Sequence, residues 1–161
     1  MSTATPEQGG SAEPKPLIAA LEPLYQRLRE LSWPLIRVTV GGTLLVHGIL
    51  KLMGPGIQAF AAGSMARRGI EPSLPAAYVV YTLETVGAVA IILGLFTRLF
   101  AAAIALEFLV ITIVASGPNG FGWTNPGGGW EYPFLWGMIF FAIALRGGGP
   151  YSLDRAIGRE L

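Results

Sequence analysis

Between Phe134 and Leu145 the chain runs without a single polar side chain. No helix of a water-soluble bundle is built that way, because its outer face must meet solvent. Three further stretches share the character: Leu35 to Met53, Pro75 to Phe96 and Leu99 to Ser116. None shows the charged stripe of an amphipathic helix. In hydrocarbon each backbone polar group must be satisfied within its own segment, so such runs are read as transmembrane helices. At 1.5 Å per residue, lengths of about 14 to 22 residues reach roughly 21 to 33 Å, which brackets the hydrocarbon core. The fourth run is the short one and recruits its flanks. Trp33, Trp130, Tyr132 and Trp136 fall at or near the ends of the runs, where interfacial aromatics belong. The expected fold class is all-α: an integral-membrane four-helix transmembrane bundle.

Composition closes several alternatives. Of the 161 residues 52% are hydrophobic and 13% charged, about half the charge of an ordinary soluble domain. A net charge of +1 leaves no basic excess, so no nucleic-acid partner is expected. Without cysteine there is no disulfide, Cys-based zinc site, iron–sulfur cluster or thiol nucleophile. The lone histidine, His47, rules out a bis-histidine haem or a multi-histidine metal centre within one copy. No metal site, and no cofactor held by this chain alone, is expected.

The flanks read differently. Residues 1–16 are rich in Ser, Thr, Pro, Gly and Glu, the composition of a disordered polar tail. No signal-peptide pattern precedes Leu17, so the first hydrophobic helix is expected to be retained. From Leu17 to Trp33, Leu17, Leu21, Leu24, Leu28 and Leu31 recur at spacings of four and three, with Glu22, Gln26, Arg27, Arg29 and Glu30 between them. That is an amphipathic helix over residues 17–33, suited to the membrane interface or to a partner. Residues 34–155 follow as the transmembrane domain and 156–161 as a cytoplasmic tail. Lys15, Arg27, Arg29, Arg37, Arg98, Arg146, Arg155 and Arg159 share the side of both termini, against Lys51, Arg67 and Arg68 opposite. The positive-inside rule puts both termini in the cytoplasm and makes Gly54 to Leu74 and Gly117 to Glu131 outward loops.

Ionisable residues within the spans carry the functional information, since a charge near the bilayer centre costs several kcal/mol and marks a site by default. Glu84 and Glu107 lie near the middles of the second and third spans, and His47 and Lys51 stack one turn apart on the first. Turned inward together, these four would form a polar site able to exchange protons. Each has a plainer use: a buried Glu can glue helices together, and Lys51 can snorkel outward. The Gly-rich loop from Ser116 to Trp130, followed by Glu131-Tyr132-Pro133, lacks the lysine and spacing of a phosphate loop. Trp130, Glu131 and Tyr132 are candidates at its end, with interfacial anchoring and helix N-terminal capping as their simpler roles. Gly94 to Arg98 is a tight turn in which Gly94, Thr97 and Arg98 stand out, and Arg98 alone can serve as a topology signal. Ala101-x-x-x-Ala105 offers a small-residue groove for close helix approach.

His47-Gly48-x-x-Lys51, Glu84, the Gly94-Leu95-Phe96-Thr97-Arg98 turn, the Gly-rich stretch into Glu131-Tyr132-Pro133 and the closing Tyr151-Ser152-Leu153-Asp154 together resemble the DoxX family of small bacterial membrane proteins. The resemblance runs from about Pro34 to Arg155. It implies a multi-pass protein of the bacterial inner membrane, a membrane part of a quinone-linked oxidoreductase assembly, with His47, Lys51, Glu84 and Glu107 binding a quinone head group or relaying its protons. Electrons would then come from a partner polypeptide. The competing expectation is a non-catalytic accessory subunit packed against a larger membrane complex or a second copy. Transport finds little support, for the chain has no internal repeat and no Pro-broken span.

Overall fold

The computed structural model describes residues 16–160; the expected polar tail lies outside them but for Pro16. Among the described residues there is no strand. Helix α1 runs over Glu22–Met53, α2 over Gly56–Phe60, α3 over Ser73–Leu93 and α4 over Thr97–Asn119, α5 over Glu131–Arg146 and α6 over Leu153–Ile157. Three of them, counting α1 with the turn before it, are long and apolar enough to cross a membrane. The fourth apolar run forms the 16-residue α5, about 24 Å long at 1.5 Å per residue.

The sequence divides Leu17 to Met53 at Trp33, yet α1 is one continuous helix with Pro34 inside it. Proline removes one helical hydrogen bond but need not end a helix whose neighbours pack well. The buried face of α1 carries Arg37, Val40, Gly41, Leu44 and Gly48. Both glycines are there for close approach. A Cβ on Gly41 would stand 2.9 Å from the carbonyl oxygen of Ala88, and one on Gly48 would stand 2.8 Å from that of Glu84. Helix α1 therefore lies backbone to backbone along α3.

One core joins the four long helices: Val40 and Leu44 from α1, Ala88 and Ile91 from α3, Ala101 and Ile104 from α4, Phe140 and Ile143 from α5. Ala101 is fully buried in it, and Gly137 of α5 packs against Phe108 and the Ala105 carbonyl. The small-residue groove of α4 is thus used internally. Around the perimeter, Leu35, Val79, Leu106 and Leu145 are each more than half exposed, the outward apolar surface that lipid contact requires.

Two segments expected as loop or tail are built. The expected outward loop after α1 folds as α2, a π-helical turn (Ala61–Met65) and a 3-10 turn (Ala66–Arg68), held by a small cluster of Ala61, Met65 and Ala77. The chain after α5 turns back through Gly147 to Pro150 into α6, and Glu160 returns to accept from the Gly148 amide (3.1 Å) and from Arg98 Nε (2.8 Å).

Candidate functional site

At the end of the bundle near α2, Lys51 of α1 reaches Glu84 of α3, its ammonium meeting both carboxylate oxygens. Gly48, one turn back, is what lets the two helices come close enough. Lys51 therefore does not snorkel away, and its ammonium also stands 5.3 Å from the centre of the Phe60 ring. Glu84 is 3% exposed and sits in a π-helical turn, Leu83–Gly87, a distortion frequent at functional sites. Glu107 of α4 is 8% exposed, within interaction range of Glu84 and Lys51. Neither of its carboxylate oxygens meets a hydrogen-bond donor.

The pair Lys51–Glu84 stands between two cavities. The first, of about 580 Å³, lies between α3 and α4 under the α2 segment and is lined by Lys51, Glu84 and Glu107, by Ser64 and Arg68, and otherwise by apolar side chains. The second, of about 720 Å³, is lined by Lys51 and Glu84 again, with His47, Glu131, Tyr132 and Trp136. His47 does not turn inward with the other three: it is exposed and borders only the second cavity. Lys51, Glu84 and Glu107 are thus brought together, and His47 lies across the pair from Glu107.

The Gly-rich loop closes the second cavity with Trp123, Gly128 and Gly129. It is fastened to itself. Asn119 donates to the carbonyls of Gly127 (3.1 Å) and Gly128 (2.9 Å), and Asn125 donates to that of Asn119 (2.8 Å). Gly129 lies so close beneath the Phe121 and Gly122 carbonyls that a Cβ would overlap them. Glu131 accepts from the Trp123 amide (3.3 Å) and ties the loop to the head of α5. Trp130 packs edge-on against Phe121 and Phe134. Tyr132 contacts Trp136 in the same way, and Trp136 stacks on Phe108 and Phe140. Trp136 is thereby an inner wall rather than an interfacial anchor.

At the opposite end the Gly94–Arg98 turn is a structural joint. Arg37, 1% exposed, donates to the carbonyls of Ile91, Ile92, Pro150 and Tyr151 at 2.9–3.5 Å. Asp154 accepts from the amides of Phe96 (2.7 Å) and Thr97 (2.9 Å) and from the Thr97 hydroxyl (2.6 Å). Those bonds hold Phe96 at φ +46°, a conformation that costs a non-glycine residue about 1 kcal/mol or more. Arg98 does more than signal topology: it donates to the carbonyls of Ala144 and Leu145 at the end of α5. Neither Arg37 nor Asp154 is a candidate on sequence grounds, although an arginine inside an apolar run is itself the signal of a buried charge.

Among the described residues no group of three or more His, Asp or Glu side chains is placed to hold a metal ion. No curated protein and no solved structure matches the chain. One family model does: DoxX, over residues 32–117, which includes His47, Lys51, Glu84, Glu107 and the Gly94–Arg98 turn but neither the Tyr132 loop end nor Asp154. DoxX is a membrane family with a loose link to quinone-related oxidoreductase function. With just over half of its length matched, and with an all-helical fold whose outer faces are apolar, this chain belongs to the DoxX family.

Proposed function

We propose that the chain is a four-span inner-membrane subunit of a quinone-linked oxidoreductase, with both termini in the cytoplasm and a polar quinone and proton site at His47, Lys51, Glu84 and Glu107. The observation that carries this reading is the partly buried Lys51–Glu84 pair standing between two cavities, with an unpartnered carboxyl beside it. A buried ion pair is a weak stabiliser compared with apolar packing. Its place between cavities suits a group that meets ligand on one side and exchanges protons on the other.

The donor set fits a quinone. Its carbonyls need donors, which the Lys51 ammonium and a His47 ring N–H supply, and its hydroquinone form needs acceptors, which Glu84 and Glu107 supply. The apolar walls and cavity volumes of about 580 and 720 Å³ suit a ring carrying a short stretch of isoprenoid tail. A bound quinone would contribute two-electron redox chemistry coupled to two protons, with the electrons delivered by a partner protein. Here Lys51 and Glu84 orient the head group and hold the proton, while His47 passes it to the vestibule under the Gly-rich loop. Lipid contact covers the apolar perimeter. The leucine stripe of residues 17–31, with Leu24, Leu28 and Leu31 each about half exposed, is the surface offered to a membrane partner or a second copy.

Glu84→Gln keeps the shape and removes the exchangeable proton. Purified from native membranes in mild detergent, this variant and His47→Gln should assemble normally yet retain less quinone and support less quinone-linked activity than wild type. Full retention and full activity in both would leave the accessory-subunit reading in its place. For orientation, single cysteines at Ser64 and Asn119 should react with an impermeant thiol reagent from outside and one at the exposed Ala156 should not. The native chain has no cysteine to confuse the result.

A further inference from the structure

Helices α3 and α4 touch at Gly87, where a Cβ would stand 3.2 Å from the Phe100 ring and 3.4 Å from Ile104. Beyond that contact the first cavity lies between them, reaching from Leu83 and Ala103 towards Ala76 and Ala115. Val79 and Leu106 line it and are also 58% and 61% exposed, so its mouth opens on the apolar perimeter, where lipid would be. A ligand entering here comes sideways from the membrane.

Inside, the walls are mostly apolar, with Ser64 and Arg68 on the side of the α2 segment, and one group is out of balance. Glu107 is more than nine-tenths buried, lines the cavity, and has no donor on either oxygen. A buried acceptor left without a donor costs about 1–3 kcal/mol, and more when charged. Nothing nearby supplies both bonds. Lys51 is committed to Glu84, Arg68, which also lines the cavity, donates to Ser64, and a proton shared between the two carboxyls would satisfy one oxygen of Glu107 and leave the other. A metal cation would want six or more oxygen ligands, which this cavity lacks. A cationic amine would face the Lys51 ammonium.

We infer that this cavity is a lateral entry site for an amphiphile with an apolar body and a phenol-type hydroxyl, whose O–H donates to Glu107. It deepens the quinone and proton reading by naming what Glu107 takes, and rests on that reading only in treating the cavity as a ligand site. Hydroxyl rather than carbonyl is the recognised group: with a proton shared towards Glu84, the oxygen of Glu107 left over accepts and cannot donate. The apolar body follows from the walls and from the mouth between Val79 and Leu106. A ligand without the hydroxyl fills the same space and leaves Glu107 as it was, so selection falls on the donor.

The test compares two probes that differ only in that donor, para-octylphenol and its methyl ether, para-octylanisole. Binding of each in radiolabelled form is measured on wild-type protein in lipid nanodiscs, with empty discs as the baseline. Wild type should hold the phenol saturably and about fivefold or more tighter than the ether, the scale of satisfying one buried acceptor. Glu107→Leu should bring the phenol down to the level of the ether, and Ala103→Phe, which fills the cavity, should abolish both. Glu107→Gln, the conservative variant, keeps an acceptor oxygen and should retain most of the preference without disturbing the fold. Equal binding of phenol and ether by wild type, or an undiminished preference in Glu107→Leu, would overturn the proposal and leave Glu107 bonded to water. Phenol preference in protein that retains no quinone would sustain this inference and remove the quinone reading alone.

Discussion

Two buried polar clusters lie at opposite ends of this bundle, and they are finished to different degrees. At the turn end, Arg37 and Asp154 are each 1% exposed and spend their charges on backbone: four carbonyls for the guanidinium, two amides and the Thr97 hydroxyl for the carboxylate. Only Arg37 Nε goes without a partner there. At the α2 end, Lys51 and Glu84 bond each other, Glu107 bonds no donor, and cavities open on both sides. Satisfied buried networks fix a fold, whereas incomplete ones are destabilising unless something else completes them. The turn end is a joint, and the α2 end is a site awaiting a ligand.

Breaking the joint should produce the largest effect. Gly94 has φ +67°, and a Cβ there would overlap the Arg37 guanidinium. Gly94→Ala should therefore destabilise the protein by about 4 kcal/mol, combining backbone strain with an overpacked buried charge, as read by denaturation in detergent. Asp154→Asn comes next, at about 3 kcal/mol, because its NH2 replaces one of the two carboxylate oxygens and faces the Phe96 or the Thr97 amide, from which that oxygen now accepts. Gly48→Ala sharpens the comparison from the other end. Its new Cβ would meet Thr85 Cγ2 at 2.7 Å, forcing α1 off α3 at a cost of about 2 kcal/mol and parting Lys51 from Glu84, so quinone retention should fall with stability. Arg98→Lys loses the fork that caps α5 and should cost about 1 kcal/mol, with ligand retention unchanged. A loss of quinone in Arg98→Lys without any loss of stability would blur the division between the ends.

Legibility in the sequence follows the same division. The apolar runs place α3, α4 and α5, and the end of α1, to within a few residues, because lipid-facing helices need no polar stripe and say so in every residue. The start of α1 is missed, because the change from amphipathic to apolar pattern at Trp33 divides what packing keeps as one helix, and the Gly54 to Leu74 stretch hides its short helices behind glycine and proline. Lys51, Glu84 and Glu107 were legible as charges at depth. Their pairing was not, since which two of three meet depends on Gly48 bringing α1 onto a π-turn, and a π-turn shifts helical phase in a way that spacing alone does not reveal. His47 shares a face with Lys51 by spacing, but at the bundle edge the same face half-buries one residue and exposes the other. Arg37 counted only as a topology signal because its partners are main-chain carbonyls, which carry no mark in the sequence.

Neutralising each cluster by an isosteric amide and reading the sign of the stability change tests the contrast between joint and site most directly. Glu107→Gln and Asp154→Asn, purified without added ligand in the same mild detergent, are compared with wild type by thermal denaturation. Asp154→Asn should lower Tm by several degrees. Glu107→Gln should leave Tm unchanged or raise it, because it exchanges a carboxyl whose oxygens meet no donor for a neutral amide of the same shape. A fall in Glu107→Gln as large as that in Asp154→Asn would show that Glu107 is as fully built into the fold as the joint is, and would contradict an open site at the α2 end.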